Sequence, residues 1–493
     1  MAIPSRSATR TVRYHRAIWW LSLLVATVSE PVRSQRSTKS GVLVAVAAYG
    51  EPVASNGPAG WGDRSGPRDR RRAILDGATE LFARQGFAAT TMDEVADAAG
   101  ITKRTLYRYI ETKDQLLQEV QDEFTTTWLG VRVPVAIIDP VARFERLVRD
   151  QLHVALHQST GMGVFLDERR ALSHSGSRRF DRRRTAHVDA VARMVVDLQA
   201  GDAVARVDPQ VAARAILSAL AEVYRWYEPA GRLTPDRLAT GASNLLLHGV
   251  AGRARPASTP GWDQLADWAA VRRVARSRRP VAGAERVYQV AARGFATHGY
   301  HATSMRDLAA DADLTKGAVM YHAGTKRRLL EEIHARTLTA ALDGHRRAAA
   351  AGGGAVATLT RMIAAHLGLL AARRDEVVVL IENARQLSDP GARARQAEWR
   401  RGFSRVIAQG VRDGELATAD PELAALLLAG VLSSTHRWFR PGGGLTPGDV
   451  ALNFARLAVF GLAPPTPPPD AVAVRRAGRP PARGTRRDGK LGT

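Results

Sequence analysis

Thr102, Lys103, Arg104 and Thr105 stand together at the start of a short predicted helix, and Tyr107, Arg108 and Tyr109 follow them at once. Lysine and arginine can donate to guanine O6 and N7, and a threonine methyl can pack on a thymine methyl. Tyrosine hydroxyls and a further arginine suit phosphate oxygens. Thr91 and Lys113 each open a flanking helix, where free N–H groups and the positive end of the helix dipole favour an anion. The same kinds of side chain return further along as Ser304, Thr315, Lys316, Gly317, Tyr321, His322 and Lys326. Leu106 and Tyr109 also fit a buried face, and Thr112 a plain helix cap.

The surrounding pattern supplies the elements that would hold these groups in place. Ile74, Leu75, Ala78, Leu81 and Phe82 recur with the spacing of one helical face, and Gln85 with Gly86 ends that helix. Thr91 with Glu94 three residues on reads as a capping box, and Met92, Val95, Ala96 and Ala99 form the buried side of a second helix. Gly100 makes a turn, Thr102 caps a third short helix, and a fourth begins at Thr112, Lys113 and Asp114. Two helices around such a turn make a helix-turn-helix, whose second helix enters the DNA major groove. The motif spans about residues 92–112, and a second copy spans about 305–325. Phe82 and Phe295, Gly86 and Gly299, Met92 and Met305, Lys103 and Lys316, and Lys113 and Lys326 are all 213 residues apart.

From Ala73 to Leu117 the chain closely resembles the N-terminal domain of TetR-family transcriptional regulators, with Arg104 and Ile110 in place of the usual glycine and phenylalanine. The second copy resembles the same family with larger departures. Asp313 stands at the turn glycine, Met320 at the first tyrosine and Ala323 at the phenylalanine. Aspartate tolerates a left-handed backbone better than most residues, whereas alanine at 323 removes core area. The resemblance implies a three-helix DNA-binding head on a larger helical domain that binds a small ligand and dimerises through its last two helices. Losing the turn glycine and two aromatics makes the first head the expected principal reader.

The likeness between the copies continues past the heads. Tyr224, Arg225, Trp226 and Pro229, then Leu233 to Pro235, match His436, Arg437, Trp438 and Pro441, then Leu445 to Pro447, at 212 residues. Whole modules are therefore duplicated. Trp226 and Trp438 are expected as core or interface anchors. Glu168 with the arginines at 169–170, and those at 182–184, fit contacts to an anionic effector, but surface charge is the favoured reading. No alternating strand pattern appears. The expected fold is all-α, with two tandem modules, each a helix-turn-helix head followed by a helical ligand-binding and dimerisation domain. The expected divisions are a leader at 1–66, heads at 69–129 and 282–342, helical domains at 130–252 and 343–463, a linker at 253–281 and a tail at 464–493. A short helix around Trp262 and Trp268 is expected in the linker.

Bulk composition sets looser limits. The net charge is +23, but residues 1–72 hold 12 basic and 4 acidic side chains and residues 464–493 hold 7 and 2, so the ends carry more than half of it. Charge alone is thus a weak argument for specific DNA binding. There are no cysteines, which excludes disulfides and thiolate chemistry. No phosphate loop, HExxH or GxSxG run occurs, so no enzyme, cofactor or metal site is expected. An apolar run after Arg10, Arg13 and Arg16 resembles a signal peptide but is too short to span a bilayer. It is read as part of a disordered leader or of an unused upstream start, with no stable membrane association.

The expected function is that of a one-component transcriptional regulator, a repressor as is usual in this family, cytoplasmic and associated with the nucleoid. Its partners would be an operator in double-stranded DNA, a small hydrophobic or acyl-derived effector, and a second module, met as an intrachain pseudo-dimer or in a homodimer. In the alternative reading only the first head binds DNA, and the second module serves sensing, dimerisation or protein interaction.

Overall fold

Side-chain caps mark where the helices begin. In the computed structural model, Thr91 and Ser304 close capping boxes with Glu94 and Asp307, while Thr102, Thr112, Thr315 and Thr325 each accept from a backbone N–H three residues on. The structure describes residues 67–168, 172, 174–199, 207–251, 265–269, 283–384 and 390–462, and every regular element among them is helical. The expected leader, the tail and Trp262 lie outside the described residues, as do Arg169, Arg170 and the linker apart from residues 265–269.

The first head consists of α1 (Pro67–Gln85), α2 (Met92–Ala98), α3 (Lys103–Leu106) and the start of α4 (Lys113–Trp128). Ile74, Phe82, Val95, Leu106, Ile110 and Leu117 form its core. The second head repeats this with α11 (Gly283–His298), α12 (Met305–Asp311), α13 (Lys316–Ala323) and α14 (Lys326–Ala350). Its turn survives the loss of glycine: Asp313 takes a φ of 53°, close to the 65° of Gly100, and is the one non-glycine residue with positive φ among those described. The small Ala323 does not leave a thin core, because Tyr288 is buried there and α16 (Arg374–Glu382) adds Val378 and Val379.

Each head continues into a larger helical body. In the first module this contains α5 (Pro140–His157), α6 (Ser159–Asp167), α7 (His174–Leu198), α8 (Pro209–Ala221) and α9 (Pro235–His248). Next come α10 (Leu265–Ala269), which carries Trp268, and in the second module α15 (Gly354–Ala372), α16, α17 (Pro390–Arg412), α18 (Pro421–Ser434) and α19 (Pro447–Phe460). Helix α15 is long and apolar enough to cross a membrane, with a mean hydropathy of 1.5, but 67% of that stretch is buried inside the protein. It packs against α10, α14, α17 and α19, the environment of a core helix.

The two modules meet through α8 and α9 on one side and α18 and α19 on the other. At the ends of α9 and α19 their backbones touch. Val250 N–H donates to Ala458 O at 2.8 Å and Ala251 N–H to Val459 O at 3.0 Å, while Leu462 N–H donates back to Leu247 O at 2.9 Å. Gly249 and Gly461 permit this. A Cβ on Gly249 would lie 2.2 Å from Val459 O, one on Gly461 would lie 2.3 Å from Leu247 C, and both residues have positive φ.

Several histidines are buried in these bodies. Burial pushes His187, His334 and His366 down from 6.5 to about 4, and His345 to about 3. Below about pH 6.5 the unfolded chain protonates these side chains while the folded chain keeps them neutral, so stability must fall as the pH drops from there toward about 4. A shift of that size is worth roughly 3 kcal/mol for each histidine. Thermal midpoints taken from about pH 7 to about pH 4 should decline steeply, and His366→Gln should flatten the decline; a level wild-type profile would contradict this.

Candidate nucleic-acid interface

The helix-turn-helix of each head leaves one side chain set in solvent. On the first head Thr91, Thr102, Lys103, Arg104 and Arg108 are exposed, and Tyr107 is 44% exposed. Thr105 and Tyr109 are half-buried, the latter packed against the head core. Thr102 accepts from the backbone N–H of Thr105, and the two hydroxyls lie 2.9 Å apart, so both threonines also fix the start of α3. Lys103 Nζ is held 2.8 Å from Asp93 Oδ1 on α2, which raises the lysine pKa by hydrogen bond and charge. That pair aims the ammonium along the α2–α3 face and offsets part of its charge.

The second face differs in chemistry. Ser304, Thr315, Lys316, Gly317, Tyr321 and His322 are all exposed, with Tyr321 at 86% and Met320 at 51%. Arg306 occupies the place of Asp93, 213 residues on, so here no acid is supplied from that position to the lysine of the recognition helix. Comparison of the copies at the 213-residue offset shows this exchange, although residue types at the recognition helices alone do not.

Lys113 and Lys326 have a different task from the phosphate contact expected of them. Lys113 Nζ donates to Phe87 O, Ala88 O and Thr90 O at 2.9, 3.3 and 2.9 Å, and Lys326 Nζ to Tyr300 O, His301 O and Thr303 O at 2.7, 3.3 and 2.8 Å. An ammonium has three N–H donors, and in each lysine all three face backbone carbonyls. Each ammonium also sits over an aromatic ring, Phe87 at 4.5 Å and Tyr300 at 4.4 Å. These lysines clip the turn between the first two helices of each head, and sequence spacing gave no sign of the carbonyl cluster they bind.

Helices α6 and α16 join the heads to the bodies. Val164 of α6 enters the first head core, and Glu168 just past it accepts from Phe87 N–H at 3.2 Å. Phe165 of the same helix lines a cavity of about 100 Å³. Trp128, Arg184 and Arg214 line it from the first module, and Arg437 and Trp438 from the second. Burial lowers the pKa of Arg214, with Arg184 adding to the effect. Arg184 Nε, Arg437 Nε and Arg437 Nη2 are buried without a hydrogen-bond partner. A second cavity, of about 50 Å³, is lined only by apolar residues, among them Leu246, Leu359, Ile407 and Phe454.

Two family profiles match the chain, each of them twice. The one described as bacterial regulatory proteins, tetR family, matches residues 74–120 and 287–333, and the tetracyclin repressor-like C-terminal domain matches 138–250 and 352–462. The HTH-type transcriptional repressor KstR2 of Rhodococcus jostii is 29% identical over 195 residues, which are 38% of this chain and 95% of that protein. The HTH-type transcriptional activator FasR of Mycolicibacterium smegmatis is 46% identical over 80 residues, 15% of this chain and 36% of its own. The crystal structure of AibR in complex with isovaleryl coenzyme A and operator DNA is 28% identical, covering 36% of this chain and 97% of that one at a TM-score of 0.33.

The geometry separates reading from clipping. Arg104→Ala and Tyr107→Phe should weaken DNA binding in fluorescence anisotropy while leaving the thermal midpoint in place, since neither side chain is buried. Lys113→Met should lower the midpoint, because three buried-edge carbonyls lose a charged donor worth roughly 1.5–3 kcal/mol. Equal thermal stability for Lys113→Met and wild type would remove the clip.

Proposed function

The chain belongs to the TetR family of bacterial regulators, as two whole modules in tandem, and from that premise we propose a single-chain repressor whose two heads read one operator made of unlike half-sites. It is a DNA-binding transcriptional regulator and not an enzyme. The observation that carries the reading is the packing of α8 and α9 on α18 and α19 within one chain, which presents two exposed recognition helices of different chemistry. A two-fold symmetric protein matches a palindrome, and two unlike heads match an unlike pair. Repression is favoured over activation because the likeness to KstR2 runs along 95% of that repressor, against 36% of the activator FasR.

In this reading residues 69–129 and 282–342 are the heads, and 130–252 and 343–463 the sensing and pairing domains. Lys103, Arg104 and Thr105 read base edges in the first half-site, and Lys316 and Gly317 in the second. Thr91, Thr102, Tyr107, Arg108, Tyr109, Ser304, Thr315, Tyr321 and His322 hold the sugar-phosphate backbone. The protein acts in the cytoplasm, where the operator lies. Both heads work, since Tyr321 and Met320 are exposed rather than packed into a structural core.

The effector is an anion with an apolar body, such as a carboxylate on an acyl chain. Aromatic walls and the buried nitrogens of Arg184 and Arg437 that lack a hydrogen-bond partner favour that chemistry in the cavity at α6. Asp167, at the end of α6, lies 2.6 Å from Arg225 and 3.8 Å from Arg437. An anion on Arg437 would compete with Asp167 for it and displace α6, which carries the first head through Val164 and Glu168. Release requires the effector to bind the displaced arrangement more tightly than the DNA-bound one.

Random-site DNA selection with the full chain should yield two different half-sites. Lys103→Ala with Arg104→Ala should erase sequence preference in one of them, and Lys316→Ala with His322→Ala in the other. A perfect palindrome, or no change on altering the second head, would sink the two-reader proposal. Octanoate, but not octanol, should raise the thermal midpoint. Arg214→Leu, which copies Leu426 at the matching position 212 residues on, should abolish that rise.

A further inference from the structure

Glu222 and Ser434 occupy the same position in the two modules, 212 residues apart, and they touch. Ser434 Oγ donates to Glu222 Oε1 at 2.8 Å, so the position lies where the modules face each other across their approximate symmetry. Arg225 and Arg437 are likewise counterparts, and both bind this one carboxylate. Arg225 Nε lies 2.7 Å from Oε2, and Arg437 Nη1 lies 2.5 Å from Oε1. The Glu222 side chain is 3% exposed. Burial pushes its carboxyl up, but Arg225 and Arg437 together pull it down to about 2, so it stays charged. One acid thus serves two equivalent arginines, and serine stands where a second acid would come.

We propose that Glu222 and Ser434 form a pairing code, by which the first module accepts the second module as its partner and refuses another copy of itself. The inference rests on the reading that the modules pair within one chain. Two first modules would set Glu222 against Glu222 at the separation now spanned by a hydrogen bond. Each would keep its own Arg225, which Asp167 already shares, so the facing carboxylates would repel and one would be driven toward its protonated form. Two second modules would bring two Arg437 guanidinium groups to Ser434 with no carboxylate from this position, and a buried charge that loses its partner is strongly destabilising.

A second contact, steric rather than electrostatic, acts in the same direction. Gly430 of α18 lies against Glu222, and a Cβ there would stand 3.1 Å from Glu222 Cβ. Its counterpart is Ser218. Pairing two first modules would therefore place a serine side chain into that tight approach. On the rim, Arg232 binds Asp420 at 2.7 Å and Glu422 at 3.1 Å across the modules. The counterpart of Arg232 is Gly444, so two second modules would lack this link entirely. The duplication has diverged at the places where like would meet like.

The test is a charge-swap cycle in the full chain, read by sedimentation equilibrium and thermal unfolding. Wild type should sediment as one chain of 53.3 kDa. Ser434→Glu and Glu222→Ser should each lower the thermal midpoint by roughly 5 °C or more and populate two-chain species at high concentration, since this position then no longer distinguishes one pairing from another. The double variant, with the acid moved across to position 434, should recover most of the midpoint and the one-chain mass. Its recovery also controls for variants that simply fold badly. Single variants as stable and as monomeric as wild type, or a double variant no better than the singles, would overturn the code and leave the single-chain reading intact. A two-chain wild type would overturn that reading instead, whatever the cycle shows.

Discussion

The packing of α8 and α9 on α18 and α19 is the constraint on which the rest depends. It is fixed at two depths. At the ends of α9 and α19, reciprocal backbone hydrogen bonds and two glycines with positive φ bring main chain against main chain, which admits no slippage by a residue. Deeper in, a buried carboxylate is shared by arginines from both modules. A buried ion pair contributes little net stability compared with apolar packing, but it penalises every arrangement that leaves one member alone. The glycine contacts set how closely the modules approach, and the charge cluster sets which surfaces may do so.

From that fixed centre, position is passed outward through α6 and α16. Each is only nine residues long and is shared between two environments. One face of α6 belongs to the head core through Val164, another lines the cavity through Phe165, and its end carries Asp167 toward the charge cluster. In the second module Glu382, at the end of α16, binds His436 Nε2 at 2.9 Å. His436 is the counterpart of Tyr224, which lies 3.4 Å from Asp167. The architecture of the link is kept while its chemistry changes: an aspartate between two arginines in one module, a glutamate on a buried imidazole in the other. In the release proposed above, such a link carries displacement from the cavity to the head, because each end is held by its own contacts.

Much of this was legible in the sequence, for a definable reason. Caps, turns and amphipathic stripes are local, and Thr91, Thr102, Gly100 and the face through Ile74 and Phe82 carry their signal within a few residues. Asp313 could be read as a left-handed turn because the backbone preference of aspartate is a local property too. What stayed hidden depends on distant partners. Lys113 looked like a phosphate ligand because its position at a helix start is local, while the three carbonyls that engage it lie 23–26 residues earlier. Glu222 carried no signal that set it apart from any i,i+3 ion pair with Arg225, since the partner that gives it its place, Arg437, lies 215 residues away. Trp438 lies beside Arg214 of the first module, but no local pattern marked the charge near it that carries the proposed pairing.

The divergence of the two copies has its own physical order. Positions where the backbone must approach closely or turn are retained: Gly86 and Gly299, Gly249 and Gly461, and the clip lysines Lys113 and Lys326. Several positions at the faces and seams of the modules have changed: Asp93 to Arg306 beside the lysine of the recognition helix, Arg214 to Leu426 in the cavity, Glu222 to Ser434 at the interface. A homodimer cannot do this, because one gene supplies both sides and every change appears twice. Fusion of the modules removes that symmetry, so one half can keep an acid, a cavity cation or a lysine tether while the other drops it. The same freedom permits two unlike recognition helices and a cavity built from both halves, with Arg184 and Arg214 from the first and Arg437 from the second.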